Sequence, residues 1–196
     1  MLRKPWILTL LAAAAVAPLL AADTYTLDKN HCDVSFQVRH FVSKVRGRFT
    51  DFDGMIQADP SKPQASSVAF TIKATSIDTN QADRDKDLRS ENFFDVAKFP
   101  DIAFKSSRIT PVGRDRYAVQ GTLTIHGVTK EVQLPVAFLG FFKDPRGNEH
   151  AGFELSTTLN RKDYGVKGGG PVVGDDVEIS INLDTVKKKP EAAAAN

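Results

Sequence analysis

The stretch DVSFQVRH, Asp33 to His40, alternates apolar and polar side chains one by one. Val34, Phe36, Val38 and His40 share one face of an extended chain, continued by Val42; Ser35, Gln37, Arg39 and Phe41 share the other. Successive side chains of a strand point to opposite sides, so this spacing predicts a β-strand with one buried face. The same rhythm returns in Val68-Phe70-Ile72, Val119-Gly121-Leu123-Ile125, Val132-Leu134-Val136-Phe138, Phe153-Leu155-Thr157-Leu159 and Val177-Ile179-Ile181-Leu183. Segments around Arg48–Ala58 and Asp101–Ile109 bring the expectation to about eight strands. Asp59-Pro60, Gly113-Arg114-Asp115, His126-Gly127-Val128 and Asp144-Pro145-Arg146-Gly147-Asn148 lie between them and carry turn chemistry suited to antiparallel neighbours. The expected class is all-β: an antiparallel, up-and-down, eight-stranded barrel, preferred over a sandwich. Such a barrel is filled by side chains or holds one small ligand. Inward faces rich in Phe and branched aliphatics make the expected tenant apolar.

One segment breaks the pattern. Asp78–Ser90 is dense in charge and reads as a short helical insertion. Asn80 is the expected N-cap, Asp83 suits the first turn, and Arg89 suits the carboxyl end. Asp85 and Arg89 are four apart and are expected to pair; Arg84 and Leu88 share another face. This helix reads as a cover or rim on the barrel.

The chain starts with Arg3 and Lys4, an uncharged apolar run from Trp6 to Leu20, and small residues at Ala21-Ala22. That is the pattern of a cleavable export signal over residues 1–22, too short to span a membrane comfortably. The barrel is expected over 23–186, followed by a disordered basic and Ala-rich tail over 187–196. Of 26 Lys+Arg, Arg3 and Lys4 lie in the leader, so the remainder carries 24 charges of each sign. A neutral domain without a concentrated basic face excludes a nucleic-acid partner. Cys32 is the single cysteine and cannot form an internal disulfide. It is left as a free thiol, an intermolecular partner or an inert residue in the barrel.

Chemistry-bearing motifs are few. There is no Gly-x-Ser-x-Gly elbow, His-Glu-x-x-His helix or phosphate loop. Gly168-Gly169-Gly170-Pro171 lacks a strand-to-helix context and reads as a flexible loop. His31, His40, His126 and His150 have no metal-ligand spacing, so neither a metal nor a cofactor is expected. Asp51, Asp53, Asp83, Asp85, Asp87, Asp175 and Asp176 read as surface and cap residues. His40 stands on the apolar face of its strand, which makes it either a satisfied core histidine or a donor to a ligand head group. Arg84 and Arg89 pose the same choice, as solvated helix residues or as guanidinium forks for a pyrophosphate, carboxylate or quinone oxygen.

Five blocks in order resemble the YceI-like family of exported lipocalin-like proteins. They are YTLDKNHCDVSFQVRH (25–40), GRFTDFDGMI (47–56), SIDTNQADRDKDLRSENFFDVAKFPDIAF (76–104), LTIHGVTKEV (123–132) and NRKDYGV (160–166). The resemblance runs from about Tyr25 to Val186. It departs at Asp87, where the family often has histidine, and at Cys32, where serine is common. It implies a periplasmic, noncatalytic barrel that carries or stores a polyisoprenoid, such as a prenyl pyrophosphate or polyprenyl quinone, or a fatty-acid-type lipid. The cavity would be lined by Phe36, Val38, His40, Phe49, Phe70 and Ile72, with Phe104, Leu123, Ile125, Phe138 and Tyr164. Arg84 and Arg89 would stand at the head group. An enzyme acting on a bound isoprenoid through His40, Arg84 and nearby carboxylates is the alternative, as is a stress-linked interaction module with a filled barrel. No oligomeric state follows, a homodimer being one option.

Overall fold

The computed structural model of the chain describes residues 22–59 and 62–189. The leader and most of the tail discussed above lie outside the described residues. Among those described there are eleven strands and one α-helix. They run β1 (Asp23–Leu27), β2 (Asp33–His40), β3 (Ser43–Phe49), β4 (Phe52–Ala58), β5 (Ser67–Lys73), β6 (Ile77–Asp78), α1 (Ala82–Arg89), β7 (Asp101–Gly113), β8 (Arg116–Ile125), β9 (Val128–Lys143), β10 (Glu149–Asn160) and β11 (Val173–Lys187).

Eleven strands make eight staves. β1 and β2 run in line, broken by a 3-10 turn at Lys29–His31, and the same β11 pairs with both. β3 and β4 pair with β2 and β1 respectively, and β6 and β5 pair with β3 and β4. Each of these three staves is therefore one strand bent in the middle. From there the sheet continues β5–β7–β8–β9–β10–β11, every pair antiparallel, and closes where β11 meets β1. This is the closed eight-stranded antiparallel barrel, with its single helix between β6 and β7.

A bulge changes the phase of β9. Leu134, Val136 and Phe138 point inward, as alternation requires, but the register with β10 shifts between Gly152 and Phe153. The extra residue leaves Leu139 outside, 56% exposed, and turns Phe141 back toward the lumen. Gly140 carries this irregularity at φ +119°, a conformation closed to side-chain-bearing residues.

Glycines also shape the wall. Phe36 lies across the strand from Gly47 and Phe70 from Gly54. A Cβ on Gly47 would come within 2.5 Å of the Phe36 ring, and one on Gly54 within 2.6 Å of Phe70. Each ring occupies the place of a missing side chain, so it lies along the wall instead of filling the barrel.

Candidate functional site

The barrel interior is a cavity of about 500 Å³, within the roughly 300–1,000 Å³ usual for small-molecule sites. It is lined by Phe36, Val38, Phe49, Phe70, Ile72, Phe104, Leu123 and Ile125. Phe138 lines it toward the end where β9 runs into β10, and Tyr164 toward the end covered by α1. The barrel is thus hollow, unlike the filled barrel of the interaction-module alternative.

His40 does not reach the lumen. β2 ends there, and the chain turns at Phe41, in the left-handed region at φ 50°. The imidazole packs edge-on against Phe41 at 4.7 Å between centroids. Val42, expected on the same inward face, projects fully into solvent. Strand alternation stops being a guide where a turn rotates the backbone.

The helix insertion covers one barrel end. Gln81, not Asn80, caps α1, its side-chain oxygen accepting from Arg84 N at 2.5 Å. Asn80 is instead in the left-handed region at φ 60°. Leu88, Phe93 and Phe94 turn from this segment into the cavity, and Phe94 packs edge-on against Phe49.

Arg84 and Arg89 do not line the cavity; both are given over to the fold. β6 pairs with β3 on one side only, because β7 begins beyond it against β5, and the other edge lacks a strand. Arg89 fills that edge: Nε donates to Thr75 O at 2.7 Å and Nη2 to Ile77 O at 2.6 Å. Arg84 donates from Nε to Thr79 Oγ1 at 2.7 Å and from Nη2 to Thr79 O at 2.8 Å. Asp85 is buried and accepts from the amide and hydroxyl of Thr79, so the expected Asp85–Arg89 pair gives way to this network. Asp87 is exposed and accepts from Asn92 Nδ2 at 2.9 Å, tying down the turn after α1.

A third arginine, not singled out from the sequence, sits at the cavity wall of this end. Arg161 is 8% exposed and follows β10 in a 3-10 turn. Its Nε donates to Gly174 O and its Nη1 to Val166 O and Gly168 O, all at 2.7–2.8 Å. Nη2 donates to Val173 O at 3.2 Å and stands 3.6 Å from Asp175. Burial lowers its pKa, opposed by Asp175. The Gly168–Gly170 run is therefore a pinned loop, not a free one. A Cβ on Gly168 would lie 2.5 Å from Asn92 O and 2.6 Å from the Phe93 ring, so only glycine lets the loop close over that ring. The signal in the sequence was Arg161 followed shortly by a glycine run, a cation beside backbone that has no strand to pair with.

The opposite end reaches solvent. Lining residues there include Ser66 and Asp115 from the connections, Tyr117, and Phe141, which is 54% exposed. Tyr25 is buried at this end and donates to Glu149 Oε1 at 2.6 Å. Burial, first, and the adjacent Glu149 push its pKa up.

Other titratable groups gather on the outer wall. His31 Nδ1 lies 2.9 Å from Asp28 Oδ2, and His150 Nδ1 lies 2.7 Å from Asp184 Oδ1. Donor atoms of Asp28, His31 and Asp184 fall within 4.8 Å of one another, the one grouping among the described residues that could hold a metal ion. None of the three lines the cavity. Cys32 donates its thiol to Asp184 O at 3.2 Å, and burial pushes its pKa up, away from the reactive thiolate.

The YceI-like domain model matches residues 25–185. The chain is 40% identical to a UPF0312 protein of Pseudomonas fluorescens (strain SBW25), over 91% of this chain and 93% of that one. Among solved structures it resembles BcnA of Burkholderia cenocepacia, with TM-score 0.74, 26% identity, and coverage of 81% of this chain and 98% of BcnA. It also shares its fold with a polyisoprenoid binding domain from Saccharophagus degradans, with TM-score 0.65, 17% identity, and coverage of 84% and 98%. The chain belongs to the family of YceI-like domain proteins.

Proposed function

We propose that this protein binds a polyisoprenoid lipid in its barrel and carries or stores it without chemical change, as an exported, periplasmic protein. The observation that carries this reading is an apolar lumen covered at one end by Leu88, Phe93 and Phe94 and reaching solvent at the other. Each methylene moved from water into such a lumen contributes about 0.8 kcal/mol, so affinity grows with tail length. A closed sheet holds its cavity ready before binding, which limits the ordering cost. The likeness to a domain described as polyisoprenoid binding supports the ligand class. The family membership and the export-signal pattern of residues 1–22 support the location.

The polar groups favour a neutral ligand end inside the barrel, such as a polyprenyl quinone. Among the described residues, every buried side-chain nitrogen and oxygen already has a partner. At the covered end Arg161, Arg84 and Arg89 donate to backbone carbonyls or to Thr79. Freeing one for a pyrophosphate would strip buried carbonyls of their donors. A charged head group would belong at the solvent-reaching end.

Protein purified gently from its host and examined by native mass spectrometry should carry a non-covalent lipid of prenyl mass spacing. After delipidation, it should rebind a polyprenyl quinone more tightly than the equivalent pyrophosphate. An empty barrel that takes up neither would overturn the reading. Turnover of the bound lipid would replace it with the enzymatic one.

A further inference from the structure

The solvent-reaching end of the barrel carries apolar surface that the fold leaves uncovered. Val112 is 63% exposed, Leu139 56%, Phe141 54% and Phe142 66%. They sit on two neighbouring hairpins. Phe138 N donates to Asp115 O at 2.8 Å, and Arg116 pairs with Ala137, so the β7–β8 tip lies beside the bulge of β9. Phe141 belongs to both surfaces. Its ring contacts Phe138 at 4.8 Å and Tyr25 at 6.4 Å on the lumen side, yet more than half of the residue is exposed. The apolar patch is therefore continuous with the mouth of the cavity.

Cations border this patch. Arg114, Arg116, Lys143 and Arg146 stand exposed on the same two hairpins, and Lys188 and Lys189 end the described chain on this side of the barrel. The acids here are largely engaged: Asp144 accepts from Asn148 N and Nδ2, Asp23 pairs with Lys187 at 2.6 Å, and Asp115 lies 3.6 Å from Arg114, leaving Arg116, Lys143, Arg146, Lys188 and Lys189 to set the sign. Exposed aromatics ringed by Lys and Arg are the chemistry of the interface of an anionic bilayer, where rings enter the acyl boundary and cations meet the head groups. An apolar tail crossing water alone would lose what the lumen provides; a mouth pressed to a bilayer removes that crossing.

We propose that this end is a membrane-docking face, and that the cavity loads and unloads through it against an anionic lipid surface. The occupant is the bilayer itself, because the patch projects from two hairpins beside a mouth instead of forming a groove, and its border is cationic. The docking half is read from the patch alone; the loading half rests on the lipid-binding reading above.

All the strands among the described residues lie between Asp23 and Lys187, so a chain beginning at Asp23 keeps them and omits the apolar leader. That chain is mixed with phosphatidylethanolamine–phosphatidylglycerol vesicles and with phosphatidylcholine vesicles, and sedimented. Wild type should partition onto the anionic vesicles and much less onto phosphatidylcholine. Leu139→Ser with Phe142→Ser, both outside the cavity lining, should cut partitioning by about tenfold or more while leaving the thermal unfolding midpoint unchanged. Arg114→Gln with Lys143→Gln should cut the preference for the anionic vesicles by about tenfold or more. Equal sedimentation of wild type and the serine variant would overturn the proposal, as would no vesicle binding at all. So would a wild-type dimer in solution that the serine pair disperses, since a second copy would then cover the face. An empty cavity in native mass spectra leaves the docking result standing, and failure to dock leaves lipid binding standing.

Discussion

At the residue scale, glycine placement decides how much room the barrel keeps. Phe70 lies over Gly54 and stacks on Phe52 at 5.9 Å, within 20° of parallel. In Gly54→Ala the new Cβ would approach Phe70 to 2.6 Å, and the ring is the part that can yield. It should swing into the lumen. Overpacking of this kind costs roughly 1–3 kcal/mol, to be read from the urea midpoint. Lipid retained in native mass spectra should fall together with stability, and unchanged retention would show that the ring finds another place. Alternation in the sequence put Phe70 on the inner face, but its pairing with Gly54 across the strands came only with the register. His40 is the converse case: its alternation was plain, and a two-residue turn beginning at Phe41 took the imidazole out of the lumen.

At the element scale, α1 is held by its arginines and not by an apolar face. Leu88 is the one large apolar side chain in ADRDKDLR, so propensity and burial together cannot hold eight residues as a helix. Arg89 supplies two hydrogen bonds to an edge where the sheet has run out. Arg89→Ala should cost about 1–3 kcal/mol for the orphaned carbonyls. Hydrogen exchange should quicken from Arg84 to Val96 while strands β8–β10 stay protected. Binding of neutral and pyrophosphate-bearing lipids should weaken by the same factor. A selective loss of the pyrophosphate ligand would instead restore the head-group role. The helix was legible as an interruption of period two; its partners were not, because an arginine beside a missing strand is defined only by where the neighbouring strands end.

At the scale of the whole molecule, barrel closure joins β11 to the stave made of β1 and β2. β11 runs with β2 from Val173↔His40 to Asn182↔Asp33, and toward the open end the seam narrows to Tyr25↔Lys187, Thr26↔Val186 and Leu27↔Thr185 with β1. Ionic contacts reinforce it: Lys187 with Asp23 at 2.6 Å, and His150 with Asp184 at 2.7 Å beside it. The hydrogen bond to Asp184 raises the pKa of His150 above its ordinary 6.5. A cation favoured by folding contributes stability that is complete below the unfolded value, about 6.5. That contribution is lost as pH rises through the raised folded value. Unfolding free energy from urea melts should therefore decline as pH rises above about 6.5. His150→Gln should flatten that decline, and a decline of the same size in the variant would assign it to other groups.

The sequence by itself determined the all-β class, the eight staves, the apolar lining and the single helical insertion, because period-two alternation is a property of each strand alone. Apart from His40, the residues it placed in the lumen line it. Tertiary structure alone decided which end is covered and which is open, and what the arginines do. Arg84 and Arg89 look like ligand groups in a one-dimensional list and Arg161 like nothing in particular; the carbonyl partners of all three appear only when strands end at different heights around a closed ring. The bulge at Gly140 is likewise invisible to alternation, since one inserted residue reverses the inner and outer faces of everything after it. That reversal brings Phe141 to the mouth and turns Phe142 to the outside, next to Leu139.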